Sequence, residues 1–463
     1  MTNTPPLTAL QQFRDTVYQN FNKRADTLMD LLDALSSNTT ARSVVELSLN
    51  PAFQRKYSAL FTALDEWEPT APGAKTLAQL AGPYLPQPTA LPFWLLGVDV
   101  TPQPRVHAVT LTDRTYVYQP NAVKSNKPIT IGHAYSTVVV LPETTAAQGP
   151  AWVVPVSVAR VPSTDNKEVV GAQQLQALLA DPSLPFHDQL CVEVVDSAYG
   201  KPTYLAHNRA SANLVTIARA RNTYTVYLPP TGEPTSAGHP TWYGAAFDLD
   251  DEATWPAPAE TTTTVWTSAS GQTYQVELQG WDDLLMHGKH KPVKCPMHLY
   301  PFRLVRVRVC KANGELAFHR PLWLIVMGPR RGDLTLVQIF DAYRRRFDLE
   351  HFFRFGKQRL LLTHYQTPDT SHEEKWWLLV HLAYLQLWVA RPCAQTMPRP
   401  WETAVSTTRP LSPTQVQRDF GRIIRQIGTP ATVPKPRGNS PGRPTGPRGP
   451  ARPRRPVVYK GKT

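Results

Sequence analysis

Two apolar runs, each ending near an aspartate, constrain the fold of this chain more than any other feature. Residues 91–100 read LPFWLLGVDV and include Asp99, and residues 191–200 read CVEVVDSAYG and include Asp196. Short apolar runs of this kind are typical of buried central strands, and a helix is predicted over 171–180, between the two runs. Because acids at the ends of adjacent parallel strands project into one crevice, the sequence predicts an α/β fold with both aspartates in that crevice.

The remaining elements form a helical start, a strand-rich middle and a helical end. Further strands are predicted at 106–111, 115–118, 137–141, 152–161, 213–218 and 321–327, and further helices within 7–66 and at 335–359, 373–391 and 414–427. The chain divides into a helical N-terminal region that is a candidate for DNA binding (1–85), the first part of the α/β domain (90–220), a β-rich insertion (221–320), the second part of that domain (321–395), a helical segment (396–429) and a disordered basic tail (430–463).

Four polar residues lie on one side of the helix predicted over 335–359. Tyr343 is followed, at spacings of three, four and seven, by Arg346, Glu350 and Lys357. At about 100° per residue, these side chains leave the helix within a sector roughly 60° wide, stacked over about 21 Å. Phenylalanines around them predict a largely buried helix, so the polar residues need a specific partner. A carboxylate flanked by two cations and a phenol suits a phosphodiester backbone near a bound metal ion.

Three acids provide hard oxygen ligands of the kind that Mg²⁺ prefers. Either aspartate alone is more often a helix cap or a turn former. That role does not account for Asp99, Asp196 and Glu350 together with the polar stripe in this chain order. Two ions about 3.5–4 Å apart can activate an attacking oxygen and stabilise a leaving one in phosphoryl displacement. We therefore expect Asp99 to bridge two Mg²⁺ ions, with Asp196 and Glu350 each completing one site and Mn²⁺ able to substitute.

The pattern Tyr-x2-Arg-x3-Glu-x6-Lys at 343–357 resembles the signature of the insertion-sequence family four transposases, bacterial cut-and-paste enzymes of the DDE class. Asp99 in LLGVDVT and Asp196 in VEVVDSAYG resemble the first and second catalytic aspartates of that family, and Glu350 resembles its catalytic glutamate. The resemblance covers roughly residues 90–390. It implies a ribonuclease-H-like mixed sheet flanked by helices, with a β-rich insertion between the second aspartate and the glutamate.

The resemblance also implies the substrate and the partners. The enzyme would bind the inverted-repeat ends of a transposon, cleave DNA strands and transfer the freed ends to target DNA, acting as a homodimer in the synaptic complex. Tyr343, Arg346 and Lys357 would contact phosphates near the cut. Arg354, which lies about 20° from Tyr343 on an ideal helix, is added on geometry alone. The expected location is the bacterial cytoplasm, in association with the nucleoid.

Two smaller groups of residues leave alternatives open. In related enzymes a tryptophan of the insertion stacks on a flipped base, and Trp242, Trp266 and Trp281 are candidates, although each is more often a core residue. His287, His290, Cys295 and His298 could form a zinc site, but the usual paired ligand spacing is absent. A basic hairpin loop is the expected structure there.

Charge and cysteine content restrict the class of protein further. The formal net charge is +13, and the last 34 residues carry nine Lys or Arg and no acid, which leaves about +4 for the rest. Such a tail predicts sequence-independent contacts with DNA phosphates, or else a solubilising linker. The four cysteines are too widely spaced for a disulfide framework. The longest apolar run, 376–389, is too short to span a bilayer, so no membrane partner is expected.

Two other functions remain compatible with these residues. One is a metal-dependent nuclease or resolvase of the same fold, which the polar stripe at 343–357 disfavours. The other is a non-catalytic DNA-binding protein derived from a transposase. Retention of all three acids disfavours the second alternative.

Overall fold

The computed structural model of the protein describes residues 5–119, 128–143, 150–209, 211–231, 241–268, 270–288, 295–397, 401, 410–434 and 452–459. A single mixed sheet of ten strands dominates this part of the chain. Its members are β1 (Trp94–Pro104), β2 (Thr115–Tyr118), β3 (Ile129–Val140), β4 (Val154–Val161), β5 (Cys191–Val195), β6 (Leu214–Ala220), β9 (Glu260–Thr267), β10 (Thr273–Leu284), β11 (Phe302–Cys310) and β12 (Leu322–Met327). A separate pair consists of β7 (Thr225–Tyr227) and β8 (Ala246–Asp248).

The two apolar runs form the parallel centre of the sheet. Strand β1 pairs in parallel with β5, and β5 pairs in parallel with β6. Strand β3 runs antiparallel to the other edge of β1, and both β2 and β4 pair with β3. All five residues of β5 are buried, as expected for a strand covered on both faces. The sequence therefore placed this region correctly as α/β.

The region 221–320 is rich in β-structure, as predicted, but its long strands are not a separate unit. Strands β9, β10 and β11 form an antiparallel meander, and β11 pairs with β12. Strand β12 in turn pairs with β6. The order β2-β3-β1-β5-β6-β12-β11-β10-β9 is continuous, so the insertion extends the central sheet.

Ten α-helices occur in the described part of the chain. They are α1 (Pro6–Asn20), α2 (Ala25–Ser36), α3 (Tyr57–Glu66), α4 (Leu77–Ala81), α5 (Lys167–Ala180), α6 (Pro202–Asn208), α7 (Leu336–Arg344), α8 (Phe347–Arg359), α9 (Thr370–Ala390) and α10 (Pro413–Ile427). None of them is long and apolar enough to cross a membrane. Helix α5 connects β4 to β5 and α6 connects β5 to β6, which gives the crossovers that parallel strands require.

The N-terminal helices share the core of the rest of the molecule. Helices α1 and α2 pack against α9, and α10 packs against α2, α8 and α9. Leu28, Leu31, Leu32 and Leu35 are fully buried in this contact. The region 1–85 is thus integrated with the sheet domain through α9, because its apolar stripe needs a partner that its own short helices do not supply.

Several predicted elements differ from the structure. Residues 106–111 form turns instead of a strand, and Arg114 donates hydrogen bonds to the carbonyls of Arg105 and Val106 within them. The predicted helix 335–359 is two helices. In the basic tail, Val458 forms a single isolated bridge to Thr115, and the N–H groups of Arg455 and Val458 donate to the carbonyls of Val109 and Arg114. Of the region 430–463 predicted to be disordered, the structure describes 430–434 and 452–459, while 435–451 and 460–463 lie outside the described residues.

All four cysteines are free thiols, as the spacing predicted. Cys191, Cys295 and Cys310 are buried in the sheet or its insertion, and Cys393 is half-buried. Burial raises the pKa of the Cys191 thiol to about 12, which keeps it protonated and unreactive. These cysteines act as small apolar core residues.

Candidate active site

Asp99 and Asp196 are brought together by the register of two parallel strands. The pairs run from Trp94 with Cys191 to Gly97 with Val194. Continuing the same register by two residues sets Asp99 beside Asp196, which directly follows β5. Each strand end carries one aspartate, and the pairing of β1 with β5 places the two carboxylates side by side.

The Asp99 carboxyl has both a negative charge and positive charges near it. Burial, followed by the neighbouring Asp196 charge, raises its pKa to about 6, against the opposing effects of Arg346, a hydrogen bond and Lys167. The hydrogen bond comes from the backbone N–H of Val100, at 2.7 Å. Burial disfavours the charged form of a carboxyl group, and here the nearby cations do not compensate for it.

The loop that follows β5 fixes Asp196 by a tight turn. The backbone N–H of Ala198 donates to the Asp196 carboxylate at 2.8 Å, and the N–H of Tyr199 donates to the Asp196 carbonyl at 3.1 Å. At Gly200 the chain passes so close to β6 that a Cβ would lie 2.6 Å from the carbonyl oxygen of Arg219. A side chain at position 200 would push this loop, and the acid it carries, away from the sheet.

Helix α8, which carries Glu350, lies directly on β1. A Cβ added to Gly97 would lie 2.6 Å from a methyl of Leu349. The missing side chain at position 97 therefore lets α8 lie close to the strand, two residues before Asp99. The sequence run LLGVD contains this glycine, but its partner on α8 could not be read from the sequence.

The predicted continuous helix is interrupted at Arg345 and Arg346. The N–H groups of residues 345, 346, 348 and 349 all donate to carbonyls three residues earlier, instead of four. Three-residue bonds tighten the turn to about three residues. The prediction of one straight stripe over about 21 Å is therefore wrong, although Tyr343 and Arg346 still lie one above the other across the tight turn. Phe347 is also 48% exposed, contrary to the predicted buried phenylalanines.

Arg346 lies between the acids. Its guanidinium donates to the Glu350 carboxylate at 2.8 Å and lies 3.7 Å from the Asp99 carboxylate. Among the described residues, no three metal-ligating side chains form a cluster. The structure thus brings Asp99 and Asp196 together, and it links Glu350 to Asp99 through Arg346.

The other residues of the predicted stripe differ in their surroundings. Tyr343 is nearly buried, and burial raises the pKa of its phenol against the effects of Arg346 and Arg219. Lys357 donates to the Thr101 hydroxyl at 2.6 Å, and burial lowers the pKa of its ammonium group, against the opposing charge of Asp99. Arg354 is exposed to solvent. Tyr343, Arg346 and Lys357 therefore adjoin the aspartates, whereas Arg354 extends outward.

A comparison with protein families adds an independent result. The sequence model of the DDE superfamily endonucleases matches residues 16–277, more than half of the 463-residue chain. The chain belongs to this family. The match includes Asp99 and Asp196 but ends before the helices that carry Tyr343 and Glu350. No curated protein matches the chain in sequence.

Membership of the DDE superfamily indicates a metal-dependent enzyme that acts on DNA, and a cavity with arginines in its wall lies beside the acids. This cavity, of about 350 Å³, opens between α7 and the strands of the insertion. Four arginines and five aromatic rings contribute to its wall: Arg219, Arg320, Arg344, Arg346, Trp266, Phe318, Phe340, Tyr343 and Phe347. Such a mixture can accept both a phosphate and a base.

Arg219 lies beside the acids of this DDE endonuclease, and the sequence did not identify it as a candidate site residue. The pairing of Val195 with Ala218, continued by one residue, sets Arg219 beside Asp196. Arg219 is exposed on the otherwise buried strand β6. A cation that interrupts an apolar strand at the level of an acid was a readable signal, but only once the register was known.

The three candidate tryptophans occupy different environments. Trp281 is 4% exposed and donates to the carbonyl of Pro256 at 2.8 Å, so it belongs to the core. Trp242 stacks on His298 with ring centroids 4.2 Å apart. Only Trp266, among these three, contributes to the wall of the cavity beside the acids.

The candidate zinc ligands are not gathered in the described residues. The ring of His287 packs against Tyr227 and Tyr243, and His298 packs against Trp242. His290 lies outside the described residues. The two described histidines therefore serve as partners for aromatic rings.

Proposed function

We propose that this DDE endonuclease is a DNA transposase that binds transposon ends, cleaves their strands and joins them to target DNA. The observation that carries the proposal is the parallel register that sets Asp99 beside Asp196, with α8, which carries Glu350, packed on the same strand through Leu349. The pattern Tyr-x2-Arg-x3-Glu-x6-Lys supports membership of the insertion-sequence family four in particular.

The strand order supports a ribonuclease-H-like fold. The central strands run β4-β3-β1-β5-β6, with β3 antiparallel to β4 and β1, and with β1, β5 and β6 parallel. Helices α5 and α6 supply the crossovers. Glu350 follows Asp196 by 154 positions, and the intervening segment contains the insertion strands, as the resemblance to transposases implies.

We infer that the three acids bind two Mg²⁺ ions, or Mn²⁺ in their place, once Arg346 releases Glu350, because the described acids do not form a preformed cluster. Asp99 and Asp196 present carboxylate oxygens only, which hard cations prefer. The raised pKa of Asp99 indicates that burial and the Asp196 charge outweigh the local cations, a deficit that a divalent ion would remove. Asp99, Asp196 and Glu350 would hold the ions. Bound Mg²⁺ would lower the pKa of an attacking water and stabilise charge on the leaving oxygen.

The chain itself positions the DNA. Tyr343, Arg346, Lys357 and, farther out, Arg354 would contact phosphates of the transposon end. Arg346 now neutralises Glu350 and Asp99, so a phosphate entering the site would compete for its guanidinium. Trp266 is the tryptophan best placed to stack on an extruded base, because its ring is part of the cavity wall next to Tyr343.

Two displacement steps would follow at this site. In the first, a water oxygen attacks phosphorus and the end of the element is released as a 3′-hydroxyl. In the second, that hydroxyl attacks a phosphodiester of the target strand, whose 3′-oxygen leaves. Two ends must be held together for such joining, which supports a homodimer on double-stranded DNA. The expected location is the bacterial cytoplasm, associated with the nucleoid.

The test uses the full chain with labelled DNA that carries the genomic sequences bordering the reading frame. We expect cleavage at the end of an inverted repeat in Mg²⁺ or Mn²⁺, and joined products when a target plasmid is added. Cleavage without joining would instead identify a nuclease of the same fold. Absence of cleavage with either metal, at DNA concentrations where binding is saturated, would contradict the proposal.

A further inference from the structure

The acidic pair has cations on both faces of the sheet. Helix α8 packs on Gly97, and α5 packs on Val98, whose methyl lies 3.1 Å from a Cβ built on Gly171. Neighbouring residues of a strand point to opposite faces, so α8 and α5 cover opposite faces of β1. Arg346 and Lys357 approach the acids from the α8 face. The α5 face was not considered in the sequence analysis.

Lys167 is the first residue of α5, one helical turn before Gly171. Its ammonium lies 5.0 Å from the centre of the Tyr199 ring, in the loop that carries Asp196. Tyr199 follows Asp196 by three residues, so the ammonium lies beside the loop that holds the second acid. In the part of the chain that is described, Lys167 forms no ion pair with a carboxylate.

The neighbouring lysine shows what a structural role looks like at this position. Lys201 lies five residues after Asp196, and its ammonium contacts the Glu168 carboxylate at 3.2 Å. Glu168 follows Lys167 on α5, so this ion pair ties α5 to the Asp196 loop. The charge of Lys201 is neutralised by that contact, whereas Lys167 rests on an aromatic face that leaves its charge available.

The Tyr199 ring beneath Lys167 belongs to the interior of the domain. The side chain is fully buried, yet its hydroxyl has no hydrogen-bond partner in the structure. Burial raises the pKa of this phenol, and the charges of Asp99 and Asp196 raise it further. The ring that carries Lys167 therefore belongs to the electrostatic surroundings of the two aspartates.

We propose that Lys167 binds a backbone phosphate of the DNA on the α5 face, opposite the contacts of Tyr343, Arg346 and Lys357. The proposal rests on the proposed function, because the strand it contacts is the one that passes over Asp99 and Asp196. DNA would thus be held from both faces of the sheet, with the acids between the two contacts. Lysine suits this role as a flexible point charge.

Chemical footprinting of the wild-type chain provides the direct test. The probe is a nicked DNA duplex of arbitrary sequence, with Ca²⁺ present, and lysine acetylation is measured by mass spectrometry with and without the duplex. We expect strong protection of Lys167 and Lys357 by DNA. Lys23, which is exposed and paired with Glu68 on the N-terminal helices, serves as the unprotected control. Protection of Lys357 without protection of Lys167 would overturn the inference and leave the proposed function intact.

Variants provide the second test, with the basic tail kept in all of them. Each phosphate contact adds about 0.9 to the slope of log affinity against log salt. We expect Lys167→Met to reduce that slope by about one and to weaken binding roughly fivefold to tenfold near 0.1 M salt. Lys167→Arg should restore the slope. Lys201→Met, which breaks the tie to Glu168 but removes no available charge, should leave it unchanged.

The possible outcomes distinguish failure of the Lys167 contact from failure of the proposed active site. If Lys167→Met and Lys201→Met both leave the slope at the wild-type value, Lys167 is a structural tie and the inference fails. If neither Lys167 nor Lys357 is protected by bound DNA, the proposed site itself is wrong. Thermal unfolding of each variant shows whether loss of binding reflects loss of the fold.

Discussion

Helix α9 and the pair α7–α8 are both packed against the sheet and both carry polar residues, but they use them differently. Nearly every residue from 376 to 390 in α9 is buried. The side chains of Glu373, His381 and Gln386 on this helix are fully buried together with their partners. The polar side chains of α7–α8 lie at an opening of the sheet, where the acids and the cavity meet. The comparison shows that polar residues on a packed helix can serve the fold or a ligand.

The polar residues of α9 form closed networks. Glu373 accepts hydrogen bonds from Tyr135 at 2.9 Å, contacts His133 at 2.7 Å, and lies 3.4 Å from Arg105. Farther along, Gln386 donates to Asp33 and Ser36 of α2. These groups join the N-terminal helices and β3 to α9. Their role is completed within the chain.

The polar residues of α8 remain only partly satisfied. The Glu350 side chain is 41% exposed and is paired with Arg346, which also faces Asp99. At such an opening, a phosphate can replace a carboxylate as the partner of Arg346, and a metal ion can replace Arg346 as the partner of the carboxylates. The following predictions test whether α8 governs chemistry while α9 governs stability.

Glu350→Gln should have the largest effect. We expect DNA cleavage to fall at least about 10⁴-fold, roughly 5 kcal/mol of barrier, because the carboxylate proposed to bind the metal pair loses its negative charge. The free energy of unfolding should change by less than about 1 kcal/mol, since the side chain is part-exposed. Single-turnover cleavage and chemical denaturation measure the two quantities. Asp341→Asn, on α7 with similar exposure, is the matched control, and full cleavage by Glu350→Gln would refute the site.

Glu373→Ala should show the opposite profile. Removing this carboxylate leaves Arg105 and His133 buried without it, which costs about 3–5 kcal/mol of stability. Denaturant titration measures this loss. Glu374→Ala removes the neighbouring, 45% exposed carboxylate that pairs with Arg160, and should cost less than about 1 kcal/mol. Equal losses of stability in the two variants would contradict the expectation that the buried Glu373 contributes more to folding than the exposed Glu374.

Asp99→Asn should stabilise the metal-free protein while it abolishes cleavage. The folded pKa of about 6 lies above the ordinary value near 4, so the stability that Asp99 contributes is present at low pH and lost as pH rises through about 4–6. The variant should therefore gain about 2–3 kcal/mol at pH 7. Thermal unfolding without divalent ions measures this gain. A decrease in stability at pH 7 would contradict the proposal that the buried charge of Asp99 destabilises the metal-free protein.

His381 on α9 should act with the opposite sign in an overlapping pH range. Burial lowers its pKa to about 4, so its stabilising contribution is present above its ordinary pKa of about 6.5 and is lost as pH falls toward 4. Comparing wild type with Asp99→Asn isolates the effect of Asp99, and comparing wild type with His381→Leu isolates the effect of His381. The stability of His381→Leu should fall less than that of wild type as pH falls from about 6.5 to 4.

Lys357→Met should produce the smallest measurable change. We expect about tenfold weaker DNA binding, because one buried cation near Asp99 is lost. Arg354→Ala, which removes an exposed cation from the same helix, should weaken binding less than about threefold. Fluorescence anisotropy at fixed salt measures both. A larger effect at Arg354 would indicate that the DNA lies farther from the sheet than proposed.

The sequence predicted the strands that carry the two aspartates because each is a short apolar run with its own boundary. It also predicted α9 and α10 and the β-rich character of 221–320. The pairing of β12 with β6 could not be predicted, since it joins residues far apart in the chain. The tight turn at Arg345–Arg346 was missed because helix periodicity continues through it without a glycine or proline.

Part of the site was beyond the sequence for a related reason. The stripe of Tyr343, Arg346, Glu350 and Lys357 was visible as a pattern. Arg219 and Lys167 were not visible, because each is a single cation whose meaning depends on strand register or on the packing of α5. The bridging position of Arg346 between Glu350 and Asp99 likewise follows from tertiary packing alone.

The unbroken hydrogen-bond ladder from β1 to β9 has a mechanical consequence. The wall that holds Trp266 and the floor that holds the aspartates are coupled through five intervening strands, so neither can swing open without breaking ladder bonds. Substrate must consequently conform to a stiff groove, and distortion of the double helix would fall on the nucleic acid.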